Sequence, residues 1–283
     1  MQNTVFYAID NGMMIEVISR DYEFDMPYKH FHNEYQIYYL LSGERYYFID
    51  NQTYYVKKGS IVLVDSNQIH QTSTVNKPFH ERLLVNIRET VFEKYKPIFG
   101  ALNLPDFFKR NFGVFQLNEE EQAYVESILF SMIEEVKNKK TEYEFLLLIK
   151  LTELLIFLIR KQQELSKVNQ PISIQSAKHR KIQEVANYIS NHYASCGSLD
   201  ELAKRFFVSK YYLCRIFKEV TGFTVNEYIS INRIKQAQIL LERSNLSITE
   251  IAEKVGYYNI THFEKVFKTY LGTTPLKYRK SLK

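Results

Sequence analysis

Hydrophobic and polar residues alternate in short runs along most of residues 13–87. The runs "MMIEVIS", "YQIYYLL", "RYYFID", "TYYVK", "SIVLVD" and "HERLLVNI" are rich in β-branched and aromatic residues. Turn pairs such as Ser42-Gly43 and Lys58-Gly59 separate the runs. Their spacing of about 8–12 residues is typical of an all-β sandwich or barrel. The sequence therefore predicts a β-rich N-terminal region.

The hydrophobic period changes to that of a helix from residue 119. Val125, Ile128 and Leu129 begin an apolar stripe at helical spacing, and a second, more apolar helix is predicted over about 142–162. We expect the two helices to form an antiparallel pair. The apolar part of the second helix, 145–159, contains two charged residues and is shorter than the roughly 20 apolar residues that cross a membrane. It is therefore predicted to be a buried or dimer-forming helix.

From residue 179 the pattern is helical throughout, and one unit occurs twice. The segment "SLDELAKRFFVSKYYLCRIFKEVTGFTVNEY" (198–228) aligns with "SITEIAEKVGYYNITHFEKVFKTYLGTTPLKY" (247–278), with a slip of one residue in the middle. Each unit begins with a Ser-x-x-Glu capping pattern. Gly222 and Gly272 stand where a helix end needs a left-handed residue. The repeat predicts two helix–turn–helix units, because the slip falls at the turn.

The second helix of each unit has two distinct faces. Leu213, Ile216 and Phe217 form a stripe that faces a core. The residues on the opposite face of the first unit are Tyr211, Cys214, Arg215 and Lys218. Their counterparts in the second unit are Thr261, Glu264, Lys265 and Lys268. An outward charged face is often only a solvated surface. An exposed aromatic residue and the repetition of the unit favour a surface that binds a partner.

Charge is distributed unevenly along the chain. Residues 178–283 contain 18 Lys and Arg against 9 Asp and Glu, whereas the rest of the chain has a slight acidic excess. A basic region beside an acidic one indicates a polyanionic partner for the basic part. The two cysteines form no framework and the start of the chain resembles no signal peptide. Both features favour an intracellular, cytoplasmic protein.

The basic region resembles the DNA-binding domain of AraC/XylS-type transcriptional regulators. The segments that carry the resemblance are "LAKRFFVSKYYLCRIFKEVTG", "RIKQAQILL" and "ITEIAEKVGYYNITHFEKVFKTYLGTTPLKYR". The resemblance implies that a long helix, about 225–242, joins the two units and that both second helices enter the major groove. The DNA-binding residues that it implies are Lys210, Tyr211, Cys214, Arg215, Lys218, Ile260, Thr261, His262, Lys265 and Lys268.

The front region resembles a cupin barrel through "HFHNEYQIYYLLSG" (30–43) and "GSIVLVDSNQIHQ" (59–71). Metal-binding cupins carry two histidines, an acid and a distant histidine, but Gln36 stands in the place of the acid. Three interpretations follow: a catalytic metal site, a metal-free effector pocket, or histidines that serve the fold alone. The whole-chain resemblance implies the pocket, with a hydroxylated ligand such as a sugar. The candidate effector-binding residues are His30, His32, Gln36, Tyr38 and His70.

Taken together, the chain is predicted to be an α+β protein of two domains. The first, 1–165, combines a cupin-like barrel with a helix pair; a linker, 166–178, leads to an all-α domain, 179–283, with helix–turn–helix units at about 198–222 and 247–272. We expect a ligand-responsive transcriptional regulator without a cofactor, a metal or catalytic activity. Its expected partners are promoter DNA, a small effector, a second copy of the chain and RNA polymerase, with no membrane. The alternatives are a metal-dependent cupin enzyme fused to a DNA-binding module and a regulator that needs no ligand.

Overall fold

The N-terminal half of the computed structural model is an antiparallel β-structure. The described residues are 2–10, 12–22, 32–66, 68–93, 104–167 and 176–282. The strands are β1 (Gln2–Asp10), β2 (Met13–Arg20), β3 (Tyr35–Ile49), β4 (Gln52–Lys57), β5 (Ser60–Val64), β6 (His70–Thr74), β7 (His80–Ile87) and β8 (Gly113–Gln116). The prediction of a β-rich N-terminal region is confirmed, and β1 and β8 extend it beyond the predicted runs.

Strand β3 belongs to two sheets. The large sheet has the order β1-β2-β7-β3-β5-β8, and the small sheet consists of β4 and β6 paired with the second half of β3. The pairing of β3 with β7 shifts register between Leu40 and Ser42, where β3 passes from one sheet to the other. The two sheets form opposite walls around a space that we call the barrel interior. A single strand therefore contributes to both walls.

Neighbouring residues of β3 point to opposite sides of the large sheet, as in any strand. Tyr38 and Leu40 face the barrel interior, where they pack with residues of the other strands. Ile37 and Tyr39 face outwards and join a separate apolar core with the N-terminal helices. The large sheet is thus buried on both faces.

The N-terminal helices cover the outer face of the large sheet. They are α1 (Thr90–Glu93), α2 (Leu104–Asn111), α3 (Glu119–Asn138) and α4 (Tyr143–Lys167). Asn118 and Glu121 form a capping box that starts α3. The Tyr39 hydroxyl donates a hydrogen bond of 2.7 Å to Glu126, which ties α3 to the sheet. The predicted helix pair is confirmed.

The C-terminal region is entirely helical. Its helices are α5 (Ala177–His192), α6 (Leu199–Arg205), α7 (Lys210–Thr221), α8 (Val225–Arg243), α9 (Ile248–Lys254), α10 (Ile260–Leu271) and α11 (Pro275–Ser281). Helices α6 and α7 form the first helix–turn–helix unit, α9 and α10 form the second, and α8 joins them. Of the predicted linker, residues 168–175 lie outside the described residues, so its bounds stay a prediction.

Local interactions start and end the repeated helices as the sequence indicates. Ser198 and Ser247 each take part in a capping box with the glutamate three residues later. Gly222 ends α7 with φ of 78°, and Gly272 ends α10 with φ of 72°. Both are left-handed conformations that cost about 1–2 kcal/mol for a residue with a Cβ atom. The two units therefore share their terminal signals as well as their cores.

The outer face of the small sheet packs against the C-terminal region. Phe48 on β3 and Ile69 are both buried in the apolar core of that region. The Phe48 ring centroid lies 6.3 Å from that of Phe223 and 5.8 Å from that of Tyr228. The Tyr46 ring, two residues earlier on the same face, lies 4.8 Å from the ring of His179. An aromatic contact therefore joins the barrel to the start of α8, directly after the first helix–turn–helix unit.

Polar contacts surround this aromatic contact. The Tyr228 hydroxyl donates a hydrogen bond to the backbone oxygen of Asp50, and Lys235 lies 3.4 Å from the carboxylate of the same residue. Gln71 on β6 is buried and touches Gly222 at the end of α7. The turn between β3 and β4 and the strand β6 are thus the parts of the barrel that meet the DNA-binding helices.

A search for membrane-spanning helices found none among the described residues, where no helix has both the length and the apolar composition required.

Candidate DNA-binding face and effector site

The outward face of α7 is available to a partner. Tyr211 and Arg215 are exposed, Cys214 is half-buried, and Lys218 is exposed in the last turn of the helix. The Arg215 guanidinium lies 5.8 Å from the centroid of the Tyr212 ring. This contact places the arginine beside an aromatic ring on the exposed face of the helix.

Lys210 differs from the other predicted residues of this face. It forms an ion pair of 2.9 Å with Asp200 on α6, and this hydrogen bond raises the pKa of Lys210. An exposed pair of this kind contributes little to stability. Lys210 therefore stays charged and able to exchange Asp200 for a phosphate.

The outward face of α10 repeats the arrangement with other side chains. Ile260, Thr261, His262, Lys265 and Lys268 are all exposed. The helix is held from below by Phe263 and Phe267, both fully buried. The two faces share a scaffold but differ in the groups that they present, which suits recognition of two different DNA segments.

Two exposed aromatic residues at the turns were not predicted. Phe207, at the turn of the first unit, has φ of 55° and is almost fully exposed. In the second unit, Gly256 takes the left-handed position, and the extra residue of the repeat is Tyr258, also fully exposed. A large aromatic residue at a predicted turn is the sequence signal that could have identified Phe207 and Tyr258.

The structure brings four of the five predicted effector residues together at the barrel interior. The side chains of Gln36, Tyr38 and His70 are buried, and the His32 ring lies 5.1 Å from the ring of His70. His30 lies outside the described residues, so its role stays a prediction. The small sheet adds Tyr47, whose ring lies 5.1 Å from that of Tyr38. Aromatic and polar groups thus converge on the inner side of the two sheets.

Both ends of the Gln36 side-chain amide form hydrogen bonds. Its Nε2 atom donates a hydrogen bond of 3.0 Å to the side-chain oxygen of Asn86. Its Oε1 atom accepts a hydrogen bond of 2.8 Å from the Tyr47 hydroxyl. Tyr47 and Asn86 were not predicted as site residues. Because Gln36 is neutral and already bonded on both sides, it is a poor substitute for the carboxylate of a metal site. Among the described residues, no group of three or more metal-binding side chains occurs.

Three arginines also lie in the barrel interior and were not predicted. Arg20, Arg45 and Arg82 are only 6%, 0% and 6% exposed. Arg82 pairs with Glu16 at 2.9 Å, and its guanidinium lies 5.9 Å from the centroid of the Tyr38 ring. Arg45 donates a hydrogen bond of 2.9 Å to the Thr74 hydroxyl. Burial and the neighbouring charge of Arg82 lower the pKa of Arg20.

The same positive charges affect the pKa of His80, which lies at the start of β7. It pairs in register with Arg20 on β2. Burial and the nearby arginines lower the pKa of His80 to about 4, although its Nδ1 atom donates a hydrogen bond to the backbone oxygen of Pro78. At neutral pH this histidine is uncharged.

Two family models match the chain. One, described as an AraC-like ligand binding domain, covers residues 13–155, and the other, described as a helix-turn-helix domain, covers residues 202–281. The first alone spans half of the sequence. The chain belongs to the AraC family of transcriptional regulators. This regulator has an N-terminal ligand-binding domain and a C-terminal helix–turn–helix DNA-binding domain.

Individual relatives agree with this assignment. The uncharacterized HTH-type transcriptional regulator YbfI of Bacillus subtilis is 29% identical over 82% of this chain and 80% of its own length. The arabinose operon regulatory protein of Escherichia coli is 28% identical over 63% of this chain and 58% of its own length. The Msm operon regulatory protein of Streptococcus mutans is 38% identical over 36% of each chain.

Among solved structures, that of ToxT from Vibrio cholerae bound to an unsaturated fatty acid covers 99% of this chain and 97% of its own, with 16% identity and a TM-score of 0.38.

The low pKa of His80 predicts a pH-dependent loss of stability. The unfolded histidine binds a proton below pH 6.5, whereas the folded one binds it only near pH 4. Acidification between these values therefore favours the unfolded chain, by up to about 3 kcal/mol. We expect His80→Gln to lose less stability than the wild type between pH 7 and pH 4.5 in urea denaturation. The exposed His192→Gln is the control. An equal pH dependence in the wild type and His80→Gln would contradict the assignment.

Proposed function

We propose that this AraC-family regulator reads a promoter with the outward faces of α7 and α10, and that a small effector in the barrel interior changes how the two domains are held. The effector site would comprise His30, His32, Gln36, Tyr38 and His70. The DNA face would comprise Lys210, Tyr211, Cys214, Arg215, Lys218, Ile260, Thr261, His262, Lys265 and Lys268.

The observation that carries the effector part is the shared use of β3 and β6. On β3, Tyr47 faces the interior, while its neighbours Tyr46 and Phe48 contact the C-terminal domain. On β6, His70 faces the interior, and its neighbour Gln71 touches the end of α7. A ligand that moves the inward residues thereby acts on the backbone that carries the domain contact. It shifts the arrangement only by its difference in affinity for the two states.

Within α7, Arg215 is proposed to read bases and Lys218 to bind phosphates. We expect Arg215→Ala to weaken binding to the specific operator by about 1–3 kcal/mol and to relax base preference at one position. Lys218→Ala should instead weaken binding to all sequences alike and reduce the salt slope by about 0.9. Fluorescence anisotropy over a salt series, with operator and scrambled DNA, separates the two effects.

The matched control for these variants is Lys137→Ala, which removes an exposed lysine from α3 in the other domain. It should change neither affinity nor salt slope. If base preference survives Arg215→Ala unchanged, Arg215 does not read bases.

The regulator is also proposed to form a homodimer through α3 and α4. Tyr124, Ile149 and Ile156 expose apolar surface beside a cleft of 620 Å³. Two oppositely charged residues, Glu153 and Arg160, line the same cleft. A twofold axis would place each charge near its opposite in a second copy. This complementarity favours self-association over another partner.

The dimer proposal predicts that Ile149→Asp with Ile156→Asp yields a monomer, because two carboxylates would be buried without partners. Sedimentation equilibrium measures the mass. The control is Val5→Asp, which changes an equally apolar, exposed residue on β1 and should leave the dimer intact. A monomeric wild type, or a dimeric double variant, would contradict the proposal.

The remaining expectations complete this proposal. The regulator would act in the cytoplasm, and RNA polymerase would be its further partner at the promoter. Both of its cysteines, Cys196 and Cys214, are free thiols, which suits a reducing compartment.

A further inference from the structure

Three buried arginines bring positive charge to the barrel interior. Arg20, Arg45 and Arg82 come from three different strands and are all nearly inaccessible to water. Each also lies close enough to Tyr38 to affect its hydroxyl electrostatically. Three positive charges around one hydroxyl give this part of the interior a positive electrostatic potential.

Two polar groups at the centre of this cluster have unused hydrogen-bonding capacity. Arg82 uses Nη2 for its bond to Glu16, whereas its Nη1 atom is buried and forms no hydrogen bond with the described residues. The Tyr38 hydroxyl is likewise buried and without a partner in that part of the chain. Burial raises the pKa of Tyr38, so its hydroxyl keeps its proton and can donate. Both groups are donors that lack an acceptor.

An anion would satisfy these donors. Arginine binds carboxylates and phosphates through parallel hydrogen bonds that are stronger than those between neutral groups. Glu16 provides one such acceptor, and it is already held by Nη2 of Arg82. A ligand that brings a second acceptor to Nη1 and to the Tyr38 hydroxyl would offset part of the cost of burying Arg82 and Tyr38.

We propose that the barrel interior binds a small anion, a carboxylate or a phosphate ester, through Arg82 and the Tyr38 hydroxyl, with Arg20 and Arg45 supplying the surrounding positive charge. This inference rests on the proposed effector site in the same interior and replaces a neutral sugar by an acidic molecule. The neighbouring Tyr47, Asn86 and His70 would contact the uncharged part of that molecule.

Thermal denaturation of the full-length protein tests this inference with minimal ligands. Inorganic phosphate, acetate and glucose are compared with sodium chloride at matched ionic strength. A ligand that binds only the folded state raises the melting temperature. We expect phosphate or acetate to raise it in a saturable manner, and the stronger of the two identifies the class of anion. Glucose should have no effect.

Because the basic C-terminal domain can also bind phosphate at its surface, variants decide where the anion binds. Tyr38→Phe removes a hydroxyl without a described partner and should leave the ligand-free protein stable. It should weaken the affinity for the anion roughly tenfold or more. Arg45→Gln should weaken this affinity as well. The matched control is Tyr39→Phe, the next residue on β3, whose hydroxyl faces α3 and should not affect binding.

Three results would overturn the inference: no stabilisation by either anion, an anion effect that Tyr38→Phe leaves unchanged, or stabilisation by glucose alone. The last would leave the proposed effector site standing and reject only its anionic character. The DNA-binding part of the proposed function is measured independently with Arg215→Ala.

Discussion

The structure depends on the alternation of side chains along β3, which serves three neighbours at once. In the large sheet, Tyr39 faces the helices and Tyr38 faces the barrel interior. Beyond the register shift, Tyr47 faces the interior and Phe48 packs on the DNA-binding domain. A strand has only two faces. Any displacement of β3 therefore moves residues of the proposed effector site, the helix pair or the domain contact. In the proposed function, this constraint is the physical route between ligand and DNA.

The domain contact combines aromatic and polar interactions. It consists of aromatic contacts between Phe48, Phe223 and Tyr228, with polar contacts from Asp50 around them. Interfaces between domains of one chain resemble transient protein–protein interfaces, and relative motion is their usual behaviour. The contact therefore has an apolar centre and a polar rim.

Local signals in the sequence predicted the DNA-binding domain well. Each helix start and end depends on residues a few positions away, as at Ser198 and Gly222. The one-residue slip of the repeat was placed at the turn, and it corresponds to the added Tyr258. The inward position of Tyr38 followed from its parity with Gln36, because no irregularity separates them.

The arginines of the interior could not be predicted in the same way. The register shift between Leu40 and Ser42 reverses the parity of β3, so counting from Gln36 would place Arg45 on the outer face. Arg82 lies on a strand buried on both faces, where alternation carries no signal. The docking of Phe48 joins residues far apart in sequence, and its run, "RYYFID", is apolar on both faces. Strand β1 exposes Val5, Tyr7 and Ile9. It therefore lacks the alternation of apolar and polar residues from which a strand is predicted.

The barrel is held against the first helix–turn–helix unit. Two equivalent glycines, Gly222 and Gly272, allow a direct test of this contact. A Cβ atom at Gly222 would overlap Gln71 of the barrel, whereas at Gly272 it would meet nothing within 4 Å. Gly222→Ala and Gly272→Ala share the cost of a left-handed alanine, so their difference reports the domain contact alone. The measurement is the radius of gyration by small-angle X-ray scattering. We expect a larger radius of gyration for Gly222→Ala and the wild-type value for Gly272→Ala. Equal values in both variants and the wild type would contradict it.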